Sequence, residues 1–127
     1  MKRVIIQNRS FWTQSFQDTL KDLVQGDFED RNLEAESTTC LSKTERDIAE
    51  YDLIIAHPHI IPNDCCLPYL KRARENRIPI VIVYSTVGSK REMLEAMSDD
   101  FDARSIAELG ANYNFYVNLI RKSRILE

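Results

Sequence analysis

Two short, almost uninterrupted apolar runs dominate this chain: Leu53-Ile-Ile-Ala56, inside the stretch Tyr51–His57, and Ile78-Pro-Ile-Val-Ile-Val-Tyr84. Ile and Val prevail in both, and polar or turn-forming residues bound them. Such runs predict parallel strands covered on both faces. The segment between them, Cys65 to Arg77, reads as a helix. A strand–helix–strand unit crosses over right-handed and brings both strand ends to one edge of the sheet. In such sheets the chemistry gathers just past the carboxyl ends of the strands. The residues at those ends are therefore the ones to read for function.

The same pattern extends over the rest of the chain. Arg3–Gln7 predicts a first strand. Phe11–Val24 predicts a helix, with Trp12, Phe16, Leu20 and Leu23 on one apolar face against the sheet. Ser10 is the expected N-cap and Gly26 the expected stop. Asn32–Glu36, with only Leu33 and Ala35 apolar, predicts a weak edge strand. A short helix is expected over Lys43–Glu50, with Ile48 inward, and a third strand over Asp52–Ala56. A helix over Cys66–Asn76 turns Leu67, Leu70 and Ala73 inward and carries Pro68 in its first turn, where a missing amide hydrogen costs little. Pro79–Tyr84 forms the fourth strand. A helix near Lys90–Met97 pairs Met93 with Met97.

Two parses describe the C-terminal part. In the preferred one, Asp102–Ile106 is strand five and Glu108–Leu126 a long helix whose buried stripe is Tyr113, Tyr116, Val117 and Ile120. Gly110 counts against it, costing about 1 kcal/mol inside a helix relative to Ala. In the other, Ala103–Leu109 extends the preceding helix and Asn114–Val117 is strand five.

The chain has 127 residues, one domain by length (residues 1–127) and enough for a core without staples. Its formal charge of −3 argues against nucleic-acid binding as the main role. No run approaches the roughly 18 apolar residues of a membrane span, and no signal-peptide pattern opens the chain. A cytoplasmic protein with no membrane partner is expected. The cysteines are Cys40, Cys65 and Cys66. An odd count with an adjacent pair is not a disulfide framework, so thiols in a reducing compartment are the simpler expectation.

The segment Pro62-Asn-Asp-Cys-Cys-Leu-Pro-Tyr-Leu-Lys-Arg-Ala-Arg74, followed by Ile78-Pro-Ile-Val-Ile-Val83, resembles the third helix and fourth strand of response-regulator receiver domains. The resemblance spans the whole chain and is strongest from Asp52 to Tyr84. It implies an α/β fold: a flavodoxin-like, three-layer sandwich around a central parallel five-stranded sheet. It also implies five functional side chains: an acidic pair after strand one that binds magnesium, a phospho-acceptor aspartate ending strand three, a threonine or serine ending strand four, and a lysine ending strand five. Phosphoryl transfer to a carboxylate needs such a cation set to offset charge on the phosphoryl oxygens, and magnesium needs hard oxygen ligands.

This sequence departs from that set. The acidic pair matches Gln7 and Asn8. The acceptor matches His57 counting forward from Asp52, or Pro58 counting back from Pro62. The hydroxyl position matches Tyr84, with Ser85 and Thr86 next. The lysine matches Arg104 in the preferred parse, or Val117 in the other. Three carboxylates are missing together, which leaves no evident metal site and no cofactor. The resemblance then implies a pseudo-receiver in two-component signalling, not an enzyme, that acts through a protein partner independently of phosphorylation. The alternative is a small enzyme or anion-binding domain whose pocket is lined by Gln7, Asn8, His57, Ser85 and Arg104.

Other residues invite rival readings. His57 and His59, with Asp64 and Cys65, have metal-ligand chemistry, but Pro58 and Pro62 make the segment a loop and no second ligand cluster appears. His57 alone could titrate near neutrality or carry a phosphoryl group. Cys65–Cys66 at a helix start could be redox-active, although a small buried cysteine is the commoner case. Ser10, Thr13 and Ser15 suit capping better than phosphate binding, because their loop lacks glycine. Lys71, Arg72, Arg74 and Arg77 form a basic helix face. Tyr113, Phe115 and Tyr116 supply aromatic surface for core packing or for an interface, including a homodimer through Tyr113, Tyr116, Val117 and Ile120.

Overall fold

The computed structural model describes residues 1–8, 14–57, 66–84, 96, 98–103 and 113–127. The strands are β1 (Lys2–Asn8), β2 (Leu33–Thr38), β3 (Leu53–His57), β4 (Ile80–Tyr84) and β5 (Asp100–Ala103). The α-helices among the described residues are α1 (Gln14–Asp27), α2 (Leu67–Glu75) and α3 (Tyr113–Ser123). The sheet runs β2-β1-β3-β4-β5, and every neighbouring pair is parallel. That order is consistent with a flavodoxin-like fold, in which the chain reverses its direction of travel across the sheet between β1 and β3.

Both faces of the central strands are buried, and the two-residue period of a strand sorts their side chains. Val4 and Ile6 of β1, Leu53 and Ile55 of β3, and Val81 and Val83 of β4 join Leu20 and Val24 of α1 and Tyr116, Val117 and Ile120 of α3. The alternate positions Ile5, Ile54, Ala56, Ile80 and Ile82 pack on the other face against Leu70 and Ala73 of α2, with Leu41, Ile48 and Tyr51. Helices α1 and α3 also touch each other.

Helix α1 is rotated from the expected phase. Gln17, Leu20 and Val24 are its buried residues, while Phe16 and Leu23 are 52% and 43% exposed. The helix continues past the expected stop to Asp27, and Gly26 has no positive φ. Leu20, Val24 and the buried Phe28 thus form the inward line, and Phe16 and Leu23 are left at its exposed flank. Trp12 and the expected cap Ser10 lie outside the described residues.

The helix expected over Lys43–Glu50 is replaced by two single 3-10 turns, Leu41–Lys43 and Ile48–Glu50. Side chains here compete for the backbone. Thr44 Oγ1 donates to the carbonyls of Leu41 and Arg46. Asp47 caps the second turn by accepting from Ala49 N–H, while Glu50 accepts from Asp47 N–H. This capping box starts a helix that Tyr51 and β3 stop after one turn.

Strand β5 begins earlier than expected because Asp99 fixes it. The Asp99 carboxylate accepts from Ile80 N–H at 2.9 Å, and Asp99 N–H donates to Ile80 O at 2.7 Å. Residues 114–117 lie in α3, which excludes the parse that made them a strand. The helix expected near Lys90–Met97 falls almost entirely outside the described residues.

Candidate functional site

In open α/β sheets the usual ligand position is outside the carboxyl ends of the strands at such a reversal, here between β1 and β3. Asn8 ends β1 in register with His57, which ends β3. Tyr84 ends β4 in register with Ala103 of β5. The topology therefore brings Gln7, Asn8, His57 and Tyr84 to one edge of the sheet. Pro58, Ser85 and Arg104 lie outside the described residues, as do His59, Asp64 and Cys65.

Gln7 is fully buried. Its Oε1 accepts from the His57 backbone N–H at 2.7 Å, and its Nε2 donates to the Thr39 carbonyl at 3.1 Å. One side-chain amide thus ties the end of β3 to the chain just after β2, with β1 between them. Both halves of the amide are used, the donor on one side and the acceptor on the other.

Asn8 points to the opposite face of the sheet. It is also buried, and its Nδ2 donates to the phenol oxygen of Tyr116 on α3. Burial pushes the Tyr116 phenol above its ordinary range, and the Asn8 contact offsets only part of that rise. The phenol is therefore neutral at physiological pH.

Neither Gln7 nor Asn8 carries a charge. No carboxylate stands at the ends of β1 or β3. The acidic side chains of β2 are engaged elsewhere. Glu34 lies 3.8 Å from Arg3 and 3.7 Å from Arg46, while Glu36 accepts from Tyr51 Oη at 2.5 Å. Among the described residues, no group of three or more His, Cys, Asp or Glu side chains is placed to hold a metal.

The remaining candidates separate clearly. Tyr116, Val117 and Ile120, read from the sequence as a buried stripe or as an interface, are each 1% exposed and belong to the core, and Tyr113 packs partly buried against them. Their helical spacing fits a core stripe as well as a contact surface, and α3 turns that stripe onto the sheet. Arg72 of the basic face forms a two-point bond with Asp47, at 3.1 and 2.9 Å, and Arg74 pairs with Asp99 at 2.5 Å. Half of that face therefore anchors α2 to its neighbours.

The cysteines depart from the expectation of thiols throughout. Cys40 is disulfide-bonded, whereas Cys66 is not. Cys40 follows β2 and Cys66 caps α2, so the fold brings together two cysteines that are 26 residues apart.

Sequence reasoning missed three partners: the Thr39 carbonyl, the Tyr116 phenol, and Gln25. The β1–β2 register turns the Ala35 amide toward the open edge of the sheet, and Gln25 Oε1 accepts from it at 3.1 Å. An edge strand is a template for pairing with another chain, and α1 covers part of this one.

No family model matches the chain, and no curated protein matches it. Among solved structures it is similar to the receiver domain of the Francisella response regulator 1452. That match has 19% identity, covers 94% of this chain and 99% of that chain, and gives a TM-score of 0.47. In the described residues no helix is long and apolar enough to cross a membrane.

Proposed function

We propose that this chain is a signalling module of receiver-like architecture that works through contacts with a protein partner and forms no aspartyl phosphate. One observation carries the reading: the Gln7 amide, buried where a receiver would hold its acidic pair, is consumed by the backbone of His57 and Thr39. The strand order and the sequence pattern from Asp52 to Tyr84 support the receiver-like architecture. On this reading the protein is cytoplasmic, needs no metal or cofactor, and is not an enzyme. The rival reading is a small enzyme or anion-binding domain, which would need Gln7 to give up these two bonds or to leave them in place beside the ligand.

A contact surface other than the α3 stripe is on hand. Phe16 and Leu23 stand two turns apart on the flank of α1, both large and exposed. Self-association through this or another face is tested by light scattering over a range of concentration; a constant monomer mass removes the homodimer.

The decisive experiment is a pair of amide NMR spectra with and without magnesium and beryllofluoride, a mimic of the aspartyl phosphate. The expected result is superimposable spectra. Shifts clustered at residues 7–8, 57 and 84 would establish an acceptor and refute the reading. Treatment with acetyl phosphate followed by intact mass gives the covalent counterpart, with no phosphoryl adduct expected.

A further inference from the structure

We propose that the open edge of β2 is a docking site for an extended segment of a protein partner, one that carries Lys or Arg at alternate positions and adds to the sheet as a new edge strand. The inference rests on the reading of this chain as a contact module, and it names the contact. β2 ends the sheet on one side. Lys2 N–H donates to Asn32 O, so the β1–β2 register turns the backbone groups of Glu34, Glu36 and Thr38 toward β1 and those of Leu33, Ala35 and Ser37 outward. Gln25 of α1 shows how one outward group is met. Its Oε1 accepts from Ala35 N–H at 3.1 Å, the bond that the carbonyl of an added strand would make. A groove of about 650 Å³ runs along this edge, lined by all of β2, by Gln17, Lys21 and Gln25 of α1, and by residues 43–45. An extended segment laid in it pairs backbone to backbone with β2.

Charge selects the occupant. Among the described residues that line the groove, Asp18, Glu34, Glu36 and Glu45 are negative and only Lys21 and Lys43 positive. Arg3 and Arg46 approach Glu34 and Glu36 without lining the groove, at 3.7, 3.8 and 3.9 Å, beyond hydrogen-bond reach. Arg3 is the β1 residue in register with Glu34, so a cation on the added strand gives Glu34 an opposite charge on each side. The other face of β2 is apolar, because Leu33 and Ala35 join the core with Leu20 and Val24 of α1. The matching strand therefore alternates basic with apolar residues. A second copy of this chain fits badly. Two β2 edges joined antiparallel about a two-fold axis set outward residues opposite outward residues. With Ala35 on the axis, Glu34 of each copy faces Glu36 of the other; with Glu34 or Glu36 on the axis, that residue faces itself. Like charges directly opposite one another work against pairing. Gln25 and the two glutamates thus both guard the edge against a second copy, and only the glutamates attract a cationic strand.

The test is an amide NMR titration with three peptides of six residues, the length of β2: alternating Lys and Val, alternating Glu and Val, and the Lys–Val sequence methylated on every backbone nitrogen. The Lys–Val peptide is expected to give saturable shifts at residues 25 and 33–38. The Glu–Val peptide, and the methylated peptide that keeps its charge but cannot donate to β2, are expected to leave those residues unmoved. Glu34→Lys should weaken the Lys–Val peptide about three- to tenfold. Gln25→Ala, which frees Ala35 N–H in advance, should tighten it about two- to tenfold. The inference is overturned if the Glu–Val or the methylated peptide binds as well as the Lys–Val one, if none binds, or if both variants bind it with unchanged affinity. A dimer in light scattering whose contacts map to residues 33–38 would place a second copy on the edge and overturn it too. None of these outcomes alters the beryllofluoride result, so the docking edge and the lack of an aspartyl phosphate are judged separately.

Discussion

Replacing Gln7 with Glu tests the amide staple without changing its shape. Gln7 is fully buried, accepts from His57 N–H at 2.7 Å and donates to the Thr39 carbonyl at 3.1 Å. A protonated Glu can reproduce both bonds, its hydroxyl donating to Thr39. An ionised Glu only accepts, so it faces the Thr39 oxygen with like polarity and carries an unpaired buried charge. The folded-state pKa of the new carboxyl therefore rises above its unfolded value of about 4.3. Burial this complete moves a carboxyl by about 3 units, which at about 1.4 kcal/mol per unit makes a loss of roughly 3–4 kcal/mol at pH 7–8. The sign follows from the raised pKa: Q7E matches the wild type below about pH 4 and loses stability as pH rises toward about 7. Urea denaturation followed by circular dichroism between pH 4.5 and 8 measures this directly. A Q7E protein as stable as wild type at pH 7, or one whose deficit does not change with pH, would refute the staple. A deficit abolished by millimolar magnesium would show that the crevice accepts a metal once a carboxylate is supplied.

Four further outcomes are expected. Tyr116→Phe removes the phenol that receives Asn8 Nδ2 and costs about 1–2 kcal/mol in chemical denaturation; no change would mean that the contact contributes nothing. Tyr51 and Tyr116 both have phenols raised above the ordinary range, Tyr51 by burial and then by its hydrogen bond to Glu36, Tyr116 by burial. Near-UV absorbance should therefore show two tyrosines that do not titrate with the others, and stability should fall as pH rises above about 10. Asp99 is partly buried, which alone would raise its pKa, but Arg74 and the Ile80 amide outweigh burial and hold the carboxyl below its usual range. Asp99→Asn should then destabilise modestly at neutral pH, and the difference should vanish as pH falls below about 4; a difference that persists in acid would count against the pairing. Gln25→Ala uncovers the Ala35 amide on the open edge of β2 and should raise the self-associated fraction in sedimentation velocity.

The sheet was legible because its strands obey one rule. With both faces covered, β3 and β4 need no alternation of polar and apolar residues, and Leu53–Ala56 and Ile80–Val83 show none. Helix α2 was equally plain from Leu70, Ala73 and a proline in the first turn. The failures came where apolar residues satisfied two phases at once. On α1, a line through Phe16, Leu20 and Leu23 and a line through Gln17, Leu20 and Val24 overlap at Leu20, and hydropathy favours the first. The helix takes the second, because Phe28 beyond its end closes the same side of the core. Between β2 and β3, Thr44 and Asp47 bond to the backbone and break a segment whose composition alone suits a helix.

The candidate site was legible in residue type and illegible in role, and the reason is distance along the chain. The absence of carboxylates at positions 7, 8 and 57 is visible in the sequence, but the partners of these side chains are not, because Gln7 and His57 are 50 residues apart and Asn8 and Tyr116 are 108 apart. Each amide reaches to one face of β1 and takes a partner from a different element, so the end of β1 is tied toward β2 and β3 on one side and to α3 on the other. The Gln7 amide uses both its donor and its acceptor in these contacts. The bonds to His57 and Tyr116 join the end of β1 to distant parts of the chain and fix the strand ends relative to one another.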